Sequence, residues 1–224
     1  MNFLELNLAF LSAQNGIEFH SFLKEHNVLE VGELTFDDLQ DIATNFEVEL
    51  SHLLFRNLVS QQHATQNSNI KLLVLDVDGV MTDGGMYFTE SGDQFKKFNT
   101  KDGMGIMKLQ QSGTEVCIIS SGFKGESIKA RAEMLGIKRC YVGRDPKILI
   151  LNNWMTELGI SIKNVAMIGD DINDLPIIEI AAISACPSDA IPCVQDAVDV
   201  KLTLKGGEGC VREFIDNFLL TIVQ

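Results

Sequence analysis

Asp76 and Asp78 stand two residues apart in Lys71-Leu-Leu-Val-Leu-Asp76-Val-Asp78-Gly79-Val-Met-Thr82-Asp83-Gly84, directly behind an apolar run. On an extended segment, side chains two apart point to the same side. Carboxylates crowded in this way repel each other and demand a cation or a proton. A second acidic group, Gly169-Asp170-Asp171-Ile172-Asn173-Asp174, follows another apolar run, Asn164–Ile168. Either group alone would be an ordinary acidic turn. On two strands of one sheet they can meet at its edge, and oxygen-only donors there suit Mg²⁺, which takes few carboxylates and keeps several waters.

Two lesser elements lie between them. Val116–Ile119 ends in Ser120-Ser121-Gly122, offering hydroxyl and backbone N–H donors. Lys147 follows Asp145-Pro146 at the start of a helical pattern. A serine behind a strand is commonly a turn residue, and a lysine at a helix start is commonly solvated. Together they suit an anionic ligand.

The elements that must position these residues read as strands alternating with helices, the signature of a parallel sheet covered on both faces. Strands are expected over Lys71–Leu75, Glu115–Ile119, Arg139–Val142, Asn164–Ile168 and Ala182–Ala185. Helices are expected near 103–111, 124–135, 146–158, 174–180 and 210–222. Residues 82–100 alternate around Ser91-Gly92-Asp93, a β-hairpin signal. Acids at the C-terminal ends of central strands sit where open α/β sheets bind ligands. Residues 1–62 carry apolar residues at helical spacing. Phe3, Leu6, Leu8, Phe10 and Leu11 suit one helix, and Phe19, Phe22 and Leu23 a second. Thr35-Phe-Asp-Asp38 starts a third, with Leu39, Ile42 and Ala43 inward; Leu50, Leu53, Leu54 and Leu58 suit a last one. The polar stretch His63–Asn69 reads as a linker. The division expected is a helical accessory domain with its linker over 1–65 and a catalytic domain over 66–224.

The order DxDGVxT, a serine behind a strand, a lysine, then GDDxND resembles the haloacid dehalogenase superfamily of phosphotransferases over residues 70–222. A narrower resemblance is to the capless sugar-acid phosphatases. It rests on Asp76–Gly84, Phe98-Asn-Thr-Lys-Asp-Gly-Met-Gly-Ile106, Arg131-Ala132 and Gly206-Gly-Glu-Gly-Cys-Val-Arg-Glu213. That group includes the phosphatases of 3-deoxy-D-manno-octulosonate (KDO) 8-phosphate and of nine-carbon, sialic-acid-type 9-phosphates. The resemblance implies a Rossmann-like fold, Asp76 as nucleophile and Asp78 as general acid and base. It implies Mg²⁺ held by Asp76, the backbone carbonyl of Asp78 and Asp170. Ser120, backbone amides around Gly79, and Lys147 would bind the phosphoryl group. Asp171 and Asp174 would orient these ligands. The family pattern has Thr-Gly where this chain has Ser120-Ser121-Gly122. Counting back from Arg131 places Ser121 in register, whereas Ser120 directly follows the strand and is favoured. Lys101, Lys124 and Arg212 are candidates for the substrate's carboxylate, although each alone equally suits a solvated surface. Arg131 suits helix packing or an ion pair.

Spacing supports the absence of a cap. The 42 residues from Asp78 to Ser120 are used by a hairpin, a helix and a strand, and the 27 from Ser120 to Lys147 by a helix and a strand. The hairpin of residues 84–98 carries Met86, Tyr87, Phe88, Phe95 and Phe98, more apolar surface than a free hairpin should show. A homo-oligomer is expected, by resemblance a tetramer built through this hairpin, with neighbours and the Gly-rich tail completing the pocket.

With 46% hydrophobic and 22% charged residues among 224, the composition excludes a disordered chain. A net charge of −13 makes nucleic acid and anionic membrane poor partners. Residues 1–69 hold ten acids against Lys24 and Arg56, a net −8. Leu39–Leu54 resembles part of a phage-repressor-type helix-turn-helix, but that acidic surface lacks a DNA-binding footprint. No apolar run reaches the ~18–20 residues of a membrane span. The first residues carry Glu5 and no Lys or Arg ahead of the apolar run, unlike a secretory signal. Five cysteines without a CxxC suit reduced thiols in the cytoplasm. The leading expectation is an Mg²⁺-dependent phosphatase of KDO 8-phosphate. A nine-carbon 9-phosphate phosphatase is the alternative of the same class, and a regulatory module with a vestigial site the alternative of another. A phosphomutase is disfavoured, since water would intercept the phosphoenzyme in an open site.

Overall fold

The computed structural model describes residues 3–48, 50–55, 69–122 and 124–220. The chain divides into two compact units, 1–65 and 66–224. In the first, four helices, α1 (Phe3–Gln14), α2 (Phe19–Glu25), α3 (Phe36–Asn45) and α4 (Leu50–Phe55), enclose Leu8, Leu11, Phe22, Leu23, Ile42, Ala43 and Leu53. Thr35 caps α3 in a capping box with Asp38. On α1 the inward face includes Asn7 as well as Leu8 and Leu11. The Asn7 amide is buried and donates to the Leu53 carbonyl at 2.9 Å. Leu58 and His63–Ser68 lie outside the described residues.

The second unit is built on a six-stranded, wholly parallel sheet in the order β5-β4-β1-β6-β7-β8. Its strands are β1 (Leu72–Leu75), β4 (Glu115–Ser120), β5 (Arg139–Val142), β6 (Val165–Ile168), β7 (Ile183–Cys186) and β8 (Val200–Lys201). β2 (Tyr87–Phe88) and β3 (Gln94–Phe95) form a separate antiparallel hairpin, Tyr87 opposite Phe95. Strand alternation splits the core in two. Leu73, Leu75, Ile118 and Ala166 pack against α5 (Thr100–Gln111), α6 (Glu126–Met134) and α10 (Cys210–Phe214). Leu72, Val74, Ile119 and Met167 pack against α7 (Lys147–Leu158), α8 (Leu175–Ile178) and α9 (Pro192–Ala197). Strands buried on both faces need no polar side, which is why they read as unbroken apolar runs.

Five strands and the hairpin stand where the sequence reading expects them, within a residue or two. Differences lie at short elements. β8 has two residues and α9 six, too few to leave a periodic trace. α8 is a single turn, shorter than 174–180. α10 ends as an α-helix at Phe214 and continues as a π-turn over Ile215–Leu219. Among the described residues no helix is long and apolar enough to cross a membrane.

Candidate active site

From β1 the chain continues to β4 and β5 on one side, then crosses to β6 on the other. The crevice at the C-terminal ends of β1 and β6 is therefore the switch point, where such sheets bind ligands. Asp76 leaves β1 there, its amide still bonded to the Ile168 carbonyl at 3.1 Å. Asp170 and Asp174 follow β6. Carboxylate oxygens of Asp76, Asp170 and Asp174 all lie within 4.8 Å of one another.

Lys147, in the first turn of α7, enters this cluster almost fully buried. Its Nζ donates to Asp76 Oδ1 at 2.6 Å and to Asp174 Oδ1 at 2.7 Å. Burial alone would depress the ammonium, but the two carboxylates outweigh it and raise its pKa. Asp174 is wholly buried, and its other oxygen accepts the amides of Asp170 at 3.1 Å and Asp171 at 3.4 Å. It thereby fixes both the lysine and the acidic loop. Burial lifts Asp76 to about 6 against the pull of Lys147, with Asp174 adding to the rise. Asp170 is pushed up to about 8, by burial first and then by Asp76 and Asp174.

Three carboxylates against one ammonium leave a net negative, dry cluster. Asp170 Oδ1 is buried without a hydrogen-bond partner. An all-oxygen donor set with an excess of negative charge and an unpartnered oxygen fits a hard divalent cation.

The segment behind Asp76 turns sharply. Gly79 has φ +95°, and a Cβ there would collide with Asp170 Oδ2. Thr82 closes the loop, its hydroxyl donating to the Val77 carbonyl at 3.1 Å. Asp78 is not one of the three clustered carboxylates; it is half exposed and pairs with Lys96 from the hairpin. Lys96 is a site residue that motif reading passes over. Alternation beyond Phe95 was the available signal.

Ser120 ends β4, buried, its Oγ accepting the Gly122 amide at 3.2 Å. The Ser121 hydroxyl accepts from Asn173 Nδ2 at 3.0 Å. Asp171 is exposed and accepts the Ile172 amide, outside the three-carboxylate cluster. The three carboxylate-binding candidates are not gathered together. Lys101 is exposed on α5, and Lys124 donates to the Gly92 carbonyl in the hairpin turn at 3.3 Å. Arg212 pairs with Asp216 of its own helix turn. Arg131 lies 5.7 Å from the Phe98 ring and donates to the Asn99 carbonyl at 3.2 Å, a packing arrangement. The Gly-rich tail lies on the Asp76–Gly84 loop: the Gly207 amide donates to the Val80 carbonyl at 2.9 Å, and Asn99 Nδ2 to the Gly207 carbonyl at 3.1 Å. Among the described residues the hairpin, α5, α6, α7, a 3₁₀ turn at Ile162–Asn164 and the sheet strands separate the motifs, with no inserted lid.

A haloacid dehalogenase-like hydrolase profile matches residues 104–181. The chain is 39% identical over 162 residues to the 3-deoxy-D-manno-octulosonate 8-phosphate phosphatase KdsC of Salmonella typhi, covering 72% of this chain and 86% of that protein. The chain belongs to this phosphatase family. It is accordingly a phosphoric monoester hydrolase. Among solved structures, the Moraxella catarrhalis phosphatase in complex with magnesium, phosphate and KDO is 31% identical, with a TM-score of 0.66 over 70% of this chain and 89% of that one. The cobalt-bound Haemophilus influenzae phosphatase is 34% identical, with a TM-score of 0.64 over 67% and 88%. Metal-bound relatives and the acidic cluster agree on a divalent metal cofactor for this family member.

Proposed function

We propose that the chain is an Mg²⁺-dependent phosphatase that hydrolyses KDO 8-phosphate through a phosphoenzyme on Asp76. The observation that carries this reading is the buried Asp76–Lys147–Asp174 arrangement beside Asp170, at the sheet's switch point. Support for the substrate comes from the curated relatives and from the KDO complex of the Moraxella catarrhalis protein. Lys147 holds one Asp76 oxygen, which leaves the other to attack phosphorus. The P–O bond to the sugar breaks as the new bond to Asp76 forms. Asp78 gives its proton to the departing sugar oxygen, then takes one from the water that attacks the phosphoenzyme. Inorganic phosphate leaves and Asp76 is restored. Ser120 and the amides of the Asp76–Gly84 turn, Gly79 among them, are the donors for the phosphoryl oxygens. Asp76, the Asp78 carbonyl and Asp170 would hold Mg²⁺, which supplies charge neutralisation for the phosphate dianion beside these carboxylates. Asp174 orients Lys147 and the Asp170 loop, and the exposed Asp171 borders it.

Phosphate release from eight- and nine-carbon sugar-acid phosphates, with and without Mg²⁺, tests this reading. Turnover should require the metal, be lost in Asp76→Asn, and favour the eight-carbon ester. Full turnover in excess chelator, or a preference for the nine-carbon ester, would contradict it.

A further inference from the structure

Lys96 follows β3, one residue beyond Phe95. Successive strand side chains alternate in direction, and here the alternation divides the hairpin's labour. Phe95 stacks on Tyr87 with ring centroids 5.3 Å apart and is 52% exposed. The Lys96 side chain turns the other way and is only 6% exposed. Burying an ammonium is costly unless it is paired, and its partner is the Asp78 carboxylate, eighteen residues back on the catalytic loop. Asp78 is 39% exposed on its side chain, and among the described residues Lys96 is its one ion-pair partner; Lys147 is bonded to Asp76 and Asp174 instead.

We propose that Lys96 is a positioning residue for Asp78: it holds the carboxyl group that serves the leaving oxygen and faces the anion left there once the proton has been given up. This rests on the reading of Asp78 as the proton donor. In that step the O–P bond breaks, the proton moves from Asp78 to the sugar oxygen, and the new carboxylate is left against the Lys96 ammonium. The hairpin thereby becomes part of the reaction's geometry. Lys96 acts through Asp78, since the ammonium bonded to Asp76 is that of Lys147, and its effect on loss of the leaving group is the one that depends on the ester.

The test is a leaving-group series of aryl and simple alkyl phosphates, with the sugar-acid phosphate assayed beside them, read as kcat/KM. That quantity runs only as far as loss of the leaving group, so later hydrolysis does not blur it. A p-nitrophenolate departs without a proton, whereas an alkoxide needs one. In Lys96→Met, kcat/KM on the alkyl ester should fall at least about tenfold, within the range of general acid catalysis, and that on p-nitrophenyl phosphate less than about threefold. Lys96→Arg should recover most of the loss, and Asp78→Asn should show the same selectivity more strongly. Circular dichroism melts report that the variants are folded. Equal losses on both esters, or none, overturn the proposal. So does a loss confined to the sugar-acid phosphate, which would make Lys96 a sugar contact. If Asp78→Asn is selective and Lys96→Met is not, the proposal fails while the acid reading stands. If Asp78→Asn is unselective, both fall.

Discussion

Two nearly isosteric substitutions, Asp174→Asn and Asp76→Asn, should have opposite consequences for the fold although both residues bond to Lys147. Asp174 spends one oxygen on Lys147 Nζ and the other on the amides of Asp170 and Asp171. An asparagine offers one acceptor and one donor, so in either orientation its NH₂ faces a donor in a fully buried setting. The loss is a charge-assisted bond, roughly 1.5–3 kcal/mol, plus an unsatisfied buried donor at roughly 1–3 kcal/mol. A cost of about 3–5 kcal/mol follows, which is the range for breaking a buried pair. At about 2–4 °C per kcal/mol for a domain of this size, the phosphatase unit should melt about 10 °C lower. Asp76 has different neighbours: Lys147 and the Val77 amide face its carboxylate as donors, and the Asp170 carboxylate crowds it. An asparagine keeps an oxygen for these donors and turns its NH₂ toward the Asp170 carboxylate. It also removes a charge that burial disfavours. Asp76→Asn should therefore melt within about 2 °C of the wild type while losing turnover. Thermal melts followed by circular dichroism in chelator exclude any contribution from metal. Equal melting of Asp174→Asn and the wild type, or an equal fall in both variants, would refute the hydrogen-bond accounting.

Asp102 is buried with Oδ2 unpartnered, and burial lifts it to about 6 despite the Arg212 amide and the charges of Arg131 and Arg212. The native state then holds a proton that the unfolded chain releases near 3.8, so stability falls as pH rises from about 4 to 6. Asp102→Asn should be more stable than the wild type by about 1–3 kcal/mol at pH 7 and equal to it near pH 4; melts that show no pH-dependent difference refute this. A chain beginning at Asn67 should stay folded and hydrolyse p-nitrophenyl phosphate, because all four motifs lie downstream; an unfolded product would place residues 1–65 in the core. Phe88, 56% exposed on the hairpin, should anchor a homo-oligomer, and we expect a tetramer. Phe88→Asp should lower the mass seen by light scattering, and a wild type that is already a fully active monomer would exclude this assembly.

The acidic clusters were legible because each follows a run that can only be a buried strand. Asp76, Asp170 and Asp174 then meet as a consequence of β1 and β6 being neighbours. Lys147 was legible as a residue at a helix start, but its burial was not. That depends on two carboxylates from different loops converging on one ammonium. Asp102 was missed in the same way: in sequence it is an acid in a helix's first turn, and only the packing of the tail over α5 buries it. Arg212 and Asp216 stand at i and i+4, a spacing that signals an internal pair, and reading the arginine toward a ligand overlooked it. β8 and α9 are too short for any period to register.

The loop that carries Asp76 and Asp78 is held from every side by its own chain, and this bears on where selectivity must come from. Gly206 lies so close that a Cβ there would strike the Gly79 carbonyl, and the next residue's amide bonds to the Val80 carbonyl. Lys147 and Asp170 take up Asp76, Lys96 takes up Asp78, and Thr82 closes the turn from within. On the proposed mechanism, a unit so completed needs no further group for phosphoryl transfer. Among the described residues, the three candidates for a sugar carboxylate are otherwise engaged or open to solvent: Arg212 pairs with Asp216, Lys124 bonds to the hairpin turn, and Lys101 is exposed. The exposed Met86, Phe88 and Phe95 stand on the hairpin that also carries Lys96. A second copy seated there would bring new side chains to the mouth of the site and, through Lys96, stiffen Asp78, the group proposed to protonate the leaving oxygen. Loss of assembly should accordingly cost far more on the sugar-acid phosphate than on p-nitrophenyl phosphate, which needs neither a sugar contact nor a proton.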